Sequence, residues 1–86
     1  MTEAAGALRL TLYSRGYCHL CHEMADAVTA IRTELPFELD ILDVDADPAL
    51  EARFNELVPV LMHGELELAR YRLDAYKLRA YLAEIR

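Results

Sequence analysis

Basic residues are scarce in this chain. Against 15 Asp and Glu stand 9 Lys and Arg, a formal net charge of −6 over 86 residues. That balance argues against nucleic acid or an anionic membrane as the main partner, because both call for a cationic surface. Long apolar runs are missing as well, and none approaches the ~20 residues of a membrane span. The opening Met1-Thr2-Glu3-Ala4-Ala5-Gly6-Ala7 has neither a basic start nor a long apolar stretch. It therefore reads as no secretory signal, and the expected compartment is the cytoplasm. Repeats, linkers and low-complexity segments are absent, so residues 1–86 are expected to form one domain. Cysteine is limited to two residues. In a reducing compartment such a pair is more often catalytic or metal-binding than structural.

What the chain does contain is enough apolar material for one core, 55% of residues, with 28% charged. Its two cysteines sit together in Ser14-Arg15-Gly16-Tyr17-Cys18-His19-Leu20-Cys21-His22. Before them, residues 8–13 alternate as a strand, with Leu8, Leu10 and Leu12 on one side. After them, Cys21, Met24, Val28, Ile31 and Leu35 recur in steps of three and four. That spacing predicts a helix from about Cys18 to about Leu35, stopped by Pro36. Residues i and i+3 of a helix lie ~5–6 Å apart at Cβ, so its first turn brings Cys18 and Cys21 near bonding distance. A helix N-terminus favours a thiolate over a thiol, and Arg15 adds positive charge nearby. Cys21 begins the buried stripe and Cys18 sits at the tip. Cys18 is therefore the expected nucleophile and Cys21 the resolving thiol.

Downstream, residues 37–41 alternate as a second strand continuing to about Val44, joined to the first by the helix and hence parallel to it. Asp47-Pro48 opens a short helix that buries Leu50, Phe54 and Leu57. Val58-Pro59-Val60-Leu61-Met62 and Glu65-Leu66-Glu67-Leu68 then form a hairpin about a two-residue turn, His63-Gly64. Asp74 caps a last helix, with Leu73 stapled against Leu78 and an apolar face of Leu78, Tyr81, Leu82 and Ile85. The expected class is α/β, β-α-β-α-β-β-α, a four-stranded mixed sheet with helices on both faces. The cysteines lie at the C-terminal end of the first strand, where open α/β sheets place their sites.

This order, with Cys18-His19-Leu20-Cys21 after the first strand and Val58-Pro59 opening the hairpin, resembles the thioredoxin superfamily. Its length is similar to that of glutaredoxins, in particular small bacterial glutaredoxin-like proteins with an "LTLYSRGYCHLC" opening and a "VPVL" hairpin entry. The resemblance spans about Leu8 to Ile85. It implies a thioredoxin-like fold and thiol–disulfide oxidoreductase activity through a mixed disulfide. It implies a cis Pro59 beside the cysteines, with the Val58 backbone pairing to a substrate's extended peptide. The partners it implies are a disulfide-bearing protein or a glutathione mixed disulfide, with glutathione or a reductase as electron donor. No resident cofactor, metal, nucleic acid or membrane is expected, and the chain is expected to be a monomer. Two departures stand out. His19-Leu20 replaces the usual Pro-Tyr between the cysteines, and Arg70-Tyr71-Arg72-Leu73-Asp74 replaces the Gly-Gly stretch that holds glutathione. Arg70 or Arg72 remains to attract a carboxylate, but the close backbone approach that glycine permits is lost.

Other patterns in the chain match known motifs only in part or outside their setting. Cys18-x-x-Cys21-His22 matches the c-type haem attachment motif literally, but its setting leaves no haem cavity, and it stands as a remote alternative. A dedicated zinc site needs a second ligand pair, and the only other histidine, His63, belongs to the far hairpin turn. Asp43-Val44-Asp45-Ala46-Asp47 begins like a calcium loop but has Pro48 and Phe54 where Gly and Glu are required, so it reads as a solvated strand end and helix cap. His19, nearest the thiolate, reads equally as a proton carrier and as a solvated first-turn residue. Tyr13 and Tyr17 flank the site. The substrate-contacting set is thus Arg15, Tyr17, His19, Val58, Pro59 and Arg72. The alternative to an enzyme is a binding module of the same fold, whose Cys pair is a redox-sensitive or metal-binding latch.

Overall fold

The computed structural model describes residues 8–85. Strand β1 (Arg9–Ser14) leads into helix α1 (His19–Arg32), then strand β2 (Glu38–Asp43) and a 3-10 turn at Val44–Ala46. Helix α2 (Pro48–Phe54) and a second 3-10 turn (Asn55–Leu57) follow, then β3 (Val60–His63), β4 (Leu66–Arg70) and α3 (Ala75–Ile85). The sheet order is β2-β1-β3-β4, with β1–β2 parallel and β1–β3 and β3–β4 antiparallel. Both faces are covered. Leu10, Leu12 and Leu61 pack with Met24, Val28 and Ile31 of α1 and Leu78 and Leu82 of α3. On the opposite face Val60 and Met62 pack with Val44, Phe54 and Cys21, and Tyr13 stacks on Phe54 with ring centres 4.2 Å apart. Strand alternation splits β3 between the two layers, as period-two geometry dictates.

Several boundaries differ from the sequence expectation. Helix α1 stops at Arg32, not Leu35. The residue before a proline is driven out of the α region, and the chain unwinds a turn early. Thr33 Oγ donates back to Ala30 C=O at 2.7 Å, and the Glu34 and Leu35 N–H groups both donate to Ile31 C=O at 2.9 Å. Val44 leaves the strand for the 3-10 turn, where it is fully buried in the second core. The hairpin turn is Gly64-Glu65, one residue later than expected, with His63 paired to Leu66 and Gly64 at φ 62. Positive φ at the first central residue alone is the pattern of a type II′ turn, for which Gly suits that position.

His63 is consequently no loop residue. It ends β3, and its Nδ1 lies 2.6 Å from the Tyr81 hydroxyl of α3. A register shift follows Leu61, which pairs with Ala69 while Met62 pairs with Glu67, so Leu68 bulges from β4. Ile85 is 40% exposed and is not part of the apolar face of α3, which buries Leu78 and Leu82. Asp47 and Asp74 cap their helices as expected, accepting from Ala49 N–H at 2.9 Å and from Lys77 N–H at 3.1 Å. No helix among the described residues is long and apolar enough to cross a membrane.

Candidate active site

The β1–α1 junction places the cysteines. Cys18 is the N-cap of α1 in extended backbone geometry, and its sulfur accepts the Cys21 N–H at 3.1 Å. A free N–H of the first helical turn thereby points at the Cys18 sulfur, in the positive end of the helix dipole. The two residues are joined as a disulfide with Cα atoms 5.1 Å apart. Their surroundings differ. Cys21 is 1% exposed and belongs to the second core, whereas Cys18 is half-buried and packs at its margin. Cys18 is thus the partly exposed member of the pair and Cys21 the buried one.

The β3 entry closes the site from the opposite side. Val58 and Pro59 are buried, Val58 belongs to the same cluster as Cys21, and the Val58–Pro59 peptide bond is cis. The Pro59 carbonyl accepts the Tyr71 N–H at 2.8 Å, while the Val58 N–H and C=O take no backbone hydrogen bond among the described residues. Residues 58–59 and 71–73 therefore lie at the cysteine end of the sheet.

Arg15 behaves differently from a free substrate ligand. Its side chain is only 13% exposed and spans three neighbours. Nη1 donates to the Tyr17 hydroxyl at 2.8 Å and lies 3.2 Å from Asp45 Oδ1, and Nη2 donates to Asn55 C=O at 2.9 Å. The Tyr17 hydroxyl first, and the Asp45 charge beside it, hold the guanidinium more firmly protonated than usual. Asn55 itself has φ 47 and ψ −115, a positive φ outside the left-handed helical region. Tyr17 hangs beside the site with 76% of its surface exposed. His19 points to solvent, 86% exposed, its Nε2 2.9 Å from Glu23 Oε2 one helical turn on. Asp43 and Asp47 act as the caps the acidic run suggested. Asp45, between them, is the ion-pair partner of Arg15, a role no spacing rule signals.

Tyr71 is the main feature that sequence reasoning missed. It has φ 69, and Arg72 N–H donates to Arg70 C=O at 2.7 Å across it. This is a γ-turn of the positive-φ kind, the rarer and more strained of the two. A non-glycine residue held so costs on the order of 1–3 kcal/mol. The γ-turn borders a groove of about 240 Å³ lined by Leu20, Met24, Leu73, Glu23 and Arg72. Only the residue identities around position 71 hinted at this; a sequence does not reveal which residue takes positive φ. Among the described residues no group of three or more His, Cys, Asp or Glu is placed to hold a metal ion, and His63 lies at the other end of β3.

Comparison with known proteins places this arrangement. A family model described as "Glutaredoxin-like domain (DUF836)" matches residues 9–83. An uncharacterized protein of Mycobacterium tuberculosis is 29% identical over 80 residues, covering 87% of this chain and 82% of that protein. The solution structure of protein Ne2328 from Nitrosomonas europaea is 36% identical and superposes with a TM-score of 0.73, covering 86% of this chain and 89% of that one. The crystal structure of Fasciola hepatica thioredoxin is 25% identical with a TM-score of 0.63, covering 98% and 86%.

Proposed function

The chain belongs to the glutaredoxin-like family of the thioredoxin superfamily, and we propose that it is a thiol–disulfide oxidoreductase working through Cys18 and Cys21. The observation that carries this reading is the asymmetry of the pair. Cys18 is the partly exposed member, seated at a helix N-terminus that stabilises its thiolate, and Cys21 is the buried one.

In the reducing direction the Cys18 thiolate attacks one sulfur of a substrate disulfide. The bond between the substrate sulfurs breaks, its electron pair leaves with the other substrate sulfur, and a mixed disulfide to Cys18 forms. Cys21, deprotonated, then attacks Cys18. This breaks the mixed disulfide, releases the second substrate thiolate and closes the Cys18–Cys21 bond. Two electrons pass to the substrate, whose sulfurs take up two protons, and a cellular thiol such as glutathione or a reductase restores the dithiol. Substrate backbone pairs with the unengaged Val58 N–H and C=O beside Pro59, Tyr17 forms part of the rim, and the Arg72 cation receives a carboxylate. Arg15 serves the site through Asn55 and Asp45 and does not touch substrate. His19 takes no direct part. The protein acts as a cytoplasmic monomer without a resident cofactor.

The test is a redox titration. Protein is equilibrated in graded glutathione buffers, free thiols are alkylated, and the products are weighed by mass spectrometry. A two-electron transition between the dithiol and the Cys18–Cys21 disulfide is expected, with a midpoint between about −270 and −120 mV. Absence of an internal disulfide across that range sinks the dithiol mechanism and leaves a binding module of the same fold.

A further inference from the structure

Tyr71 stands where backbone sterics favour glycine, and its position is fixed from two sides. The γ-turn bond from Arg72 N–H to Arg70 C=O closes around it, and its own N–H donates to Pro59 C=O at 2.8 Å. The chain keeps a bulky aromatic in a strained conformation, fastened to the segment that carries Val58. Strain of this kind persists where the placement of a side chain is put to use. The placement here is specific. Tyr71 borders the same groove as Leu20, which lies between the two cysteines, and the groove continues along Met24 and Leu73.

The groove has a size and a charge. At about 240 Å³ it falls below the ~300–1,000 Å³ of small-molecule sites and suits one or two side chains. Glu23 on its α1 wall is engaged by His19 at 2.9 Å. The Arg72 guanidinium on the opposite wall has no side-chain hydrogen bond or ion pair among the described residues, whereas the side chains of the other described arginines all have an acidic, carbonyl or aromatic partner. An apolar wall beside an unengaged cation complements an apolar side chain accompanied by a negative one.

Resting on the oxidoreductase reading, we infer that this groove selects polypeptide substrates. It takes an apolar side chain next to the target cysteine against Tyr71 and Leu20, with an acidic side chain beside it at Arg72. Tyr71 and Arg72 are thus specificity-determining residues, and the strain at Tyr71 is retained to present its ring.

The experiment uses two peptides of one sequence, each with its single cysteine in a mixed disulfide with 2-mercaptoethanol. One carries Leu and Glu beside the cysteine, the other Ala and Lys. Wild-type protein is expected to favour the Leu–Glu peptide in kcat/KM by about tenfold or more. It is expected to show the same preference in Kd for versions with Ser in place of Cys. Tyr71→Gly and Tyr71→Asn both accommodate positive φ and lack the aromatic ring, and they should bring the preference close to that for charge alone. Tyr71→Phe should retain it. Arg72→Glu should reverse the charge preference, a result that does not depend on how the Tyr71 variants fold.

Equal Kd and kcat/KM for the two peptides with wild-type protein overturn the proposal, as does an unchanged preference in both Tyr71→Gly and Arg72→Glu. A glutathione mixed disulfide reduced in preference to both peptides overturns it too. Selective binding without turnover would remove the oxidoreductase reading while supporting the groove. Turnover without selectivity would do the reverse.

Discussion

Arg15 donates to the backbone carbonyl of Asn55 at 2.9 Å, and each of these residues lies three positions ahead of a segment that builds the site. Three residues after Arg15 comes Cys18; three residues after Asn55 comes Val58. One guanidinium, further held by Tyr17 and Asp45, ties the segment that carries Cys18 to the strand entry opposite it. This bond joins residues 40 apart in sequence.

The clamp is tested by Arg15→Lys. Lysine preserves the charge but is a point donor, and it does not reproduce the planar fork that reaches three partners. If position matters more than charge, Arg15→Lys and Arg15→Ala should both lower kcat/KM for a disulfide substrate about tenfold, since small misplacements of reacting groups are expensive. The Cys18 thiol pKa, read by its alkylation rate against pH, should move little in Arg15→Lys. Wild-type kcat/KM in that variant would show that charge alone is what Arg15 supplies.

The roles of the two cysteines are tested by trapping. Cys21→Ser should accumulate a stable mixed disulfide through Cys18, because the buried resolving thiol is gone. Cys18→Ser should accumulate none and lose turnover by at least about a hundredfold. Mass spectrometry of the alkylated protein reads both results. Efficient trapping through Cys21 in the Cys18→Ser protein would reverse the assignment.

Stability rests on the layer between the sheet and helices α1 and α3. Leu82 is fully buried there with Leu10, Leu12 and Leu78. Leu82→Ala should destabilise the protein by ~2–5 kcal/mol through lost burial and the cavity left behind. For a domain this small that lowers Tm by roughly 10 °C or more. Denaturant unfolding at constant m-value measures it. A loss below ~1 kcal/mol would mean that this layer collapses to fill the space.

A pH signature is expected where the turn after α1 meets α3. Arg79 donates to both carboxylate oxygens of Glu34, at 2.9 and 3.1 Å. These hydrogen bonds, and then the Arg79 charge, hold the Glu34 carboxyl below its ordinary value of 4.5. Because the folded-state value is the lower one, the stabilisation is fully present above the ordinary value and is lost as pH falls through the depressed one. Both side chains are about half exposed, so the effect is small and weakened by salt. Glu34→Gln should flatten that part of the stability profile below pH 4.5 and leave the profile near neutrality nearly parallel to wild type. An identical acid limb in the variant would show that the pair contributes nothing.

Much of this protein is decided by local rules that act along the chain. The steps of three and four from Cys21 to Ile31 name the buried face of α1, and all four residues are buried. Asp47-Pro48 and Asp74 start helices because their side chains satisfy free N–H groups wherever the rest of the fold lies. Cys18 and Cys21 meet because a helical first turn brings i and i+3 together, whatever packs against it. Two strand orientations also follow, since a helical connection makes β1 and β2 parallel and a tight turn makes β3 and β4 antiparallel.

Tertiary contact decided the rest. Leu35 fits the apolar period but lies beyond α1, and its partial burial comes from packing against the core under α3. Leu68 bulges and His63 turns inward to Tyr81 because β4 must pair with β3 and pack under α3 at once. Asp45 looks like one more solvated acid until folding sets it against Arg15. Tyr71 looks like an ordinary aromatic until the Pro59 carbonyl and the Arg70–Arg72 bond fix it at positive φ beside Leu20. Sequence periodicity records which face of an element is apolar. It holds no record of which distant backbone groups will need a partner, and those requirements placed Arg15 and Tyr71.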